Sequence, residues 1–293
     1  MKTWFRNTAR SVFYAERLLW PAVVVGLIVA GVAILIGEHR ESVGNVTDLA
    51  AVSMFLFGVL LAFTTARMRE RIVKIHDLLR TCDAELESCY ELSANFGEDV
   101  QREVQGLIDA QLVDQVDYRL IEFWRSADSH KALTTTIYDL EPKGTRQTFS
   151  YRALSDLCWD MTRNRALIEA VAGQELSTME WASTLLLLLL ILCLMTILPG
   201  GTLAGSLLVG FLAMVLVSLV GLVRQLERLR WHERTTIWEP QARLFRSLGL
   251  LPYIPRSVID ARRYRPTGVV RIVDYHAEYP DRSRKTVSEV DLG

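Results

Sequence analysis

Charge is missing from three long stretches of this 293-residue chain. No Asp, Glu, Lys or Arg occurs from Leu18 to Gly37, from Leu49 to Ala66, or across the 43 residues from Trp181 to Val223. A bilayer span needs about 20 apolar residues, so the last stretch holds two spans with Pro199-Gly200-Gly201 as their turn. The first two, separated by the polar segment Glu38 to Asp48, form another hairpin. With no Asp, Glu, Lys or Arg in the four span cores, the chain lacks the intramembrane proton relays and ion pairs expected in many pumps. Cysteine is scarce, at four residues. Cys82 and Cys89 lie seven apart on one predicted helix, about 10.5 Å in rise, too far apart for a disulfide. Cys193 sits inside a span, and reduced packing thiols are expected, in keeping with a cytoplasmic location for Cys82, Cys89 and Cys158.

Catalytic signatures are missing as well. His232-Glu233 opens like a zinc-protease helix motif, but Thr236 stands where the second imidazole belongs. There is no P-loop, no G-x-S-x-G and no Cys-x-x-Cys, and the five histidines are scattered at positions 39, 76, 130, 232 and 276. The chain is therefore expected not to be an enzyme and to carry no metal or other cofactor. Asn45-Val46-Thr47 has the spacing of a glycosylation acceptor, yet it abuts a span and reads as an unmodified turn.

What charge there is sets the topology. Lys2, Arg6, Arg10 and Arg17 precede the first span, Arg67, Arg69, Arg71 and Lys74 follow the second, and Arg224, Arg228, Arg230 and Arg234 follow the fourth, whereas the two opposite loops hold only Arg40. The positive-inside rule then places both termini in the cytoplasm, in a multi-pass protein of the cell (inner) membrane. A cleaved leader is the competing reading of residues 1–37, but the run is long and ends in no A-x-A-like site.

The expected organisation is an N-terminal segment with spans 1 and 2 (1–66), a cytoplasmic helical domain (67–180), spans 3 and 4 (181–223), and a basic juxtamembrane segment and tail (224–293). Ile72, Ile75, Leu79, Cys82, Leu86 and Cys89 recur at three- and four-residue steps, which fits a face of an intramolecular bundle or an intersubunit coiled coil. After Asn95-Phe96-Gly97 a helix opens on Glu98 and Asp99, with an apolar stripe through Val100, Val104, Ile108, Leu112, Val116, Leu120 and Trp124. Residues 126–150 lose periodicity and read as a loop. Thr148 or Ser150 then caps a helix leading to the third span. Beyond the fourth span, prolines allow only a short amphipathic piece near Leu244 to Leu251. Val269 to Tyr275 and Thr286 to Leu292 read as a β-hairpin.

The net charge of −1 hides a partition. Segment 67–180 sums to −7 and segment 224–271 to +7, counting Lys and Arg against Asp and Glu. The basic stretch, with Arg262, Arg263 and Arg265 as its densest cluster, suits anionic lipid headgroups or docking on the acidic block. Topology already explains most of that basicity, so no nucleic-acid partner is expected.

The second span has two informative stripes. Gly58, Ala62 and Ala66 repeat every fourth residue and permit close helix packing in lipid. Phe55, Val59 and Phe63 repeat on the adjacent face, with Leu56 and Leu60 expected to point away. Such side chains form a hydrophobic constriction if they ring an axis, although periodicity alone favours packing against lipid or other helices.

Two hairpins around a cytoplasmic helical block, with Gly58-Val59-Leu60-Leu61-Ala62-Phe63-Thr64 running into Arg67-Met68-Arg69-Glu70-Arg71, resemble the bestrophin superfamily, especially the bacterial bestrophin-like membrane proteins. The resemblance implies an all-α membrane protein that assembles as a homo-oligomer, a pentamer in bestrophins. It also implies a largely anion-selective channel with inorganic ions and membrane lipids as partners. The apolar neck then falls on Phe55, Val59 and Phe63. A non-conducting scaffold or sensor that binds a protein through its cytoplasmic helices is the alternative.

Overall fold

The computed structural model describes residues 16–37, 44–118, 120–197, 203–227, 229, 238–260 and 264–292. By internal contacts the chain divides into two compact units, one taking the chain up to Arg69 with Glu175–Glu227, the other Glu70–Gln174 with the chain from residue 228 onward.

The first unit is helical. It contains α1 (Glu16–Gly37), the N-terminal half of α2 (Gly44–Ser93), α6 (Thr178–Ile197) and α7 (Leu203–Glu227). Three helical runs are long and apolar enough to cross a membrane: Asp48–Phe96, Thr178–Ile197 and Ala204–Glu227. In the first of these the uncharged part ends at Ala66, and charged residues begin at Arg67. The first expected span, in α1, has a shorter apolar run among its described side chains, Pro21–Leu35. Because α2 begins at Gly44, Asn45-Val46-Thr47 has helical backbone in place of the expected turn. The expected turn at 199–201 lies outside the described residues.

Helices α1 and α7 pack backbone against backbone at a point where neither has a side chain. A Cβ placed on Gly26 would sit 2.7 Å from the Gly210 carbonyl oxygen, and one on Gly210 would sit 2.7 Å from that of Gly26. Ala22, Ala30 and Ala33 on α1, with Ser206 and Ala213 on α7, are buried with them. Small residues allow this approach, and lipid-embedded helices gain close van der Waals packing from it.

The N-terminus of α6 is held by a reciprocal capping arrangement. Glu180 N donates to Ser177 Oγ (3.2 Å) and Ser177 N donates to Glu180 Oε2 (2.7 Å), satisfying two backbone donors that the helix leaves open. Glu180 also pairs with Arg67 of α2. At the far end of α7, Glu227 Oε1 accepts from Leu176 N and Trp181 Nε1, both at 3.0 Å.

The second unit packs the rest of α2 with α3 (Glu98–Asp117), α4 (Ala127–Tyr138), α5 (Thr145–Ala172) and α8 (Trp238–Ser247). One core joins Leu86 and Cys89 of α2 to Val104, Ile108 and Leu112 of α3, Leu133 and Ile137 of α4, Leu154 and Cys158 of α5, and Phe245 of α8. Ile72, Ile75 and Cys82 are also buried, so the seam on α2 is spent inside this chain as one face of a bundle. Cys82, Cys89, Cys158 and Cys193 are all free thiols. Arg71 caps α5 from the side, donating to the carbonyls of Val171 (3.0 Å) and Ala172, two of the four that a helix C-terminus leaves unbonded.

Three local expectations are corrected. Residues 126–150 are largely helical: α4 fills Ala127–Tyr138 and α5 starts at Thr145 with Gly144 at its N-cap, ahead of both Thr148 and Ser150. The buried face of α4 is His130, Leu133, Thr134 and Ile137, a spacing of i, i+3, i+4, i+7 in which two positions are polar and hide the stripe. The stripe of α3 also stops early, since α3 ends at Asp117 and Leu120 and Trp124 belong to a 3₁₀ segment, Leu120–Ser126.

The C-terminal part forms a small sheet. Gly249, at φ 72°, ends α8 with Leu250 N donating to Phe245 O at 2.7 Å, a left-handed turn that favours glycine. Strand β1 (Tyr253–Pro255) is followed by the short helix α9 (Arg256–Asp260) and pairs in parallel with β2 (Val269–Tyr275). β2 pairs antiparallel with β3 (Lys285–Asp291), in register from Val269↔Asp291 to Tyr275↔Lys285. The hairpin stands as expected, shifted by one residue in its second strand.

Candidate functional site

The first half of α2 has one covered side and one open side. Ala50, Ser53, Phe57 and Met68 are buried, and Phe57 packs with Leu188, Ile191 and Met195 of α6 and Val220 of α7. At 100° per residue, Phe55, Val59 and Phe63 fall on roughly the opposite side, and they are 70%, 37% and 73% exposed. Gly58, Ala62 and Ala66 are exposed beside them, and a Cβ on Gly58 would meet nothing within 4 Å. Both stripes are therefore uncovered in the single chain. Within the chain, close packing through glycine falls to Gly26 and Gly210, which the reading of α2 alone missed; their signal was the spacing Ala22, Gly26, Ala30 on α1 and Ser206, Gly210 on α7. Leu56, expected to point away, is 52% exposed and shares the open side, whereas Leu60 is half-buried.

Among the described residues, the exposed positions from Phe55 to Phe63 carry no hydroxyl. Thr64 Oγ1 donates back to Leu60 O at 2.8 Å, the usual way a threonine settles inside a helix. The open face is thus carbon-lined over two turns.

Of the three arginines expected to dock the C-terminal segment, Arg262 and Arg263 lie outside the described residues and Arg265 is exposed. The contacts that join the C-terminal segment to the acidic helices use other cations. Arg271 makes a bidentate pair with Asp109 of α3, at 2.7 and 2.5 Å, the strong geometry for guanidinium and carboxylate. Lys285 pairs with Asp117 at 2.5 Å. Asp117 is buried and fully used, because Oδ1 also accepts from Tyr253 Oη (3.0 Å) and Tyr275 Oη (2.8 Å). Burial and this anion push both phenol pKa values upward.

The second unit also contains a cavity of about 430 Å³ that sequence reasoning did not foresee. One face of α2, namely His76, Leu79, Arg80 and Asp83, forms a wall, and its i, i+3, i+4, i+7 spacing was the available signal. Aromatic residues from the 3₁₀ segment, α8 and the sheet complete it, including Phe123, Trp238 and Tyr275. Burial, with the neighbouring Glu87 adding to it, pushes the Asp83 carboxyl up to about 7. Burial and Arg80 hold the His76 imidazole below its ordinary value. Among the described residues no group of three His, Cys, Asp or Glu side chains is placed to hold a metal ion.

A family model described as the Bestrophin-like domain matches residues 18–229. No curated protein and no solved structure matches the chain. The matched region covers well over half of the sequence and includes the open face of α2, the helical block and all the apolar helices. The chain accordingly belongs to the Bestrophin-like family, a membrane protein with a bestrophin-family channel kind of function.

Proposed function

We propose that the chain is a four-span, homo-oligomeric ion channel of the cell (inner) membrane. In this reading copies close into a ring around α2, with Phe55, Val59 and Phe63 as an apolar neck. The observation that carries this is the pair of uncovered stripes on one helix. The small stripe, Gly58, Ala62 and Ala66, offers a neighbouring subunit a surface for close approach. The large stripe next to it is left to face the axis. A ring of phenylalanines supplies nothing to replace an ion's hydration shell, so it resists wetting and acts as a barrier that widening relieves. Anion selectivity and a five-fold ring come to this chain from the family likeness alone. A heterologous interface of this kind must close on itself to stay soluble in the membrane as a discrete particle.

Orientation follows from the basic flanks, with both termini and the second unit on the cytoplasmic side. Cysteines placed singly at Ser42 and Thr202 in a cysteine-free background are expected to react with an impermeant thiol reagent outside intact cells, and one at Ser283 is not. The reverse pattern overturns the orientation.

Conduction is tested by ion flux in liposomes reconstituted with purified protein. Replacing Phe55, Val59 and Phe63 together by alanine is expected to raise chloride flux over wild type by about ten-fold or more, since removing the rings lowers a barrier of at least ~1.4 kcal/mol. Replacing Leu186 and Leu189, exposed leucines of α6, is expected to leave flux unchanged. If wild type and the triple variant are both impermeable to chloride and potassium while correctly assembled, the non-conducting scaffold is the better reading.

A further inference from the structure

We infer that the cavity of the second unit binds a small zwitterion of the aromatic α-amino-acid type, with Arg80 taking its carboxylate and Asp83 its ammonium. This goes beyond the channel reading and stands whether or not the chain conducts.

Arg80 and Asp83 are three residues apart on α2, a spacing at which opposite charges commonly pair. Both line the cavity, and neither makes a hydrogen bond or ion pair among the described residues. The other charges at the cavity are already engaged. Asp117 is used by Lys285 and two tyrosines. Arg282 donates Nε–H to the Asp117 carbonyl at 3.1 Å, and its guanidinium lies over the Tyr275 ring at 3.8 Å and the Tyr279 ring at 4.9 Å. His76 is held neutral by burial and by Arg80. Among the described residues this leaves Arg80 and the Asp83 carboxyl, which an adjacent ammonium would hold ionised.

That balance selects the ligand. A simple anion would satisfy Arg80 and repel Asp83; a simple cation would do the converse. A molecule carrying both charges can offer each a charge-assisted hydrogen bond. Phe123, Tyr118 and Trp238 supply flat apolar walls for a ring, worth most to a ligand with an aromatic side chain. A volume of about 430 Å³ is near the lower end of small-molecule sites, ~300–1,000 Å³. The raised pKa of Asp83 is what an unpaired, partly desolvated carboxylate shows, and a ligand ammonium would relieve it.

The test is calorimetric titration of the full-length detergent-solubilised protein with L-phenylalanine, L-tyrosine and L-tryptophan. The comparison ligands are 3-phenylpropionate, which lacks the ammonium, and phenethylamine, which lacks the carboxylate. At least one amino acid is expected to bind saturably at one site per chain, with both comparison ligands about ten-fold weaker or worse. Arg80→Gln and Asp83→Asn, each with wild-type melting and gel-filtration behaviour, are expected to weaken binding by a similar factor. The inference is overturned if none of the three amino acids binds at millimolar concentration. It is equally overturned if either comparison ligand binds as tightly as the amino acids, or if both variants keep wild-type affinity.

Discussion

His130 shows how a polar residue serves a core. Its Nε2 lies 3.1 Å from Thr162 Oγ1, and that hydroxyl donates to Cys158 O at 2.8 Å. The hydroxyl must therefore accept from the imidazole, which fixes the proton on Nε2. Burial, then the Arg165 charge, brings the His130 pKa down to about 4. A histidine with a depressed folded pKa binds fewer protons folded than unfolded between about pH 6.5 and pH 4, so stability falls as the pH drops through that window. The loss from this one group at pH 4 is on the order of 3 kcal/mol, from a shift of that size. Thermal melts of His130→Gln are expected to show a shallower decline between pH 6.5 and 4 than wild type. Parallel declines would mean that another group carries the acid sensitivity. Asp83 works in the opposite sense, because its carboxyl is raised to about 7: the folded chain holds the extra proton, and stability falls as pH rises from about 4 toward 7.

At the scale of elements, glycine separates two kinds of helix contact. Gly210 is in backbone contact with Gly26 inside one chain, whereas Gly58 faces open space. Gly210→Val is expected to push α1 and α7 apart and lower the melting temperature of the solubilised chain, in keeping with overpacking costs of about 1–3 kcal/mol. Gly58→Val is expected to leave the fold of the single chain intact and to weaken only its assembly, seen as a smaller particle with unchanged helix content. Equal loss of fold in both variants would contradict this division.

What the sequence revealed of these elements follows the range of the interactions that build them. The β2–β3 hairpin and the start of α3 at Glu98 rest on local alternation, a turn and acidic residues at a helix N-terminus, and were read correctly. Helix α4 was missed because His130 and Thr134 occupy half of its buried stripe. Strand β1 has three residues and pairs in parallel with a strand across α9, so no hairpin signal announces it. The cavity was invisible because its walls come from α2, the 3₁₀ segment, α8 and the sheet, segments far apart in the chain. On α2 the stripes themselves were legible by spacing. That both stay uncovered depends on how Phe57 packs against α6 and α7, and that is a tertiary fact.

For the whole molecule, the proposed ring would divide the exposed surface of the apolar helices between lipid and a neighbouring copy. Leu27, Ile28, Leu186 and Leu208 are also more than half exposed, as residues facing acyl chains are. The face of α2 differs by setting small residues directly beside bulky aromatic ones, which suits a seam next to an axis. The most direct test of that assignment is a particle reconstruction of the full-length protein in detergent or nanodiscs. The account predicts a closed ring of copies with α2 nearest the axis and Phe55, Val59 and Phe63 lining its narrowest part. A monomer, a dimer, or a ring with another helix on the axis would contradict it.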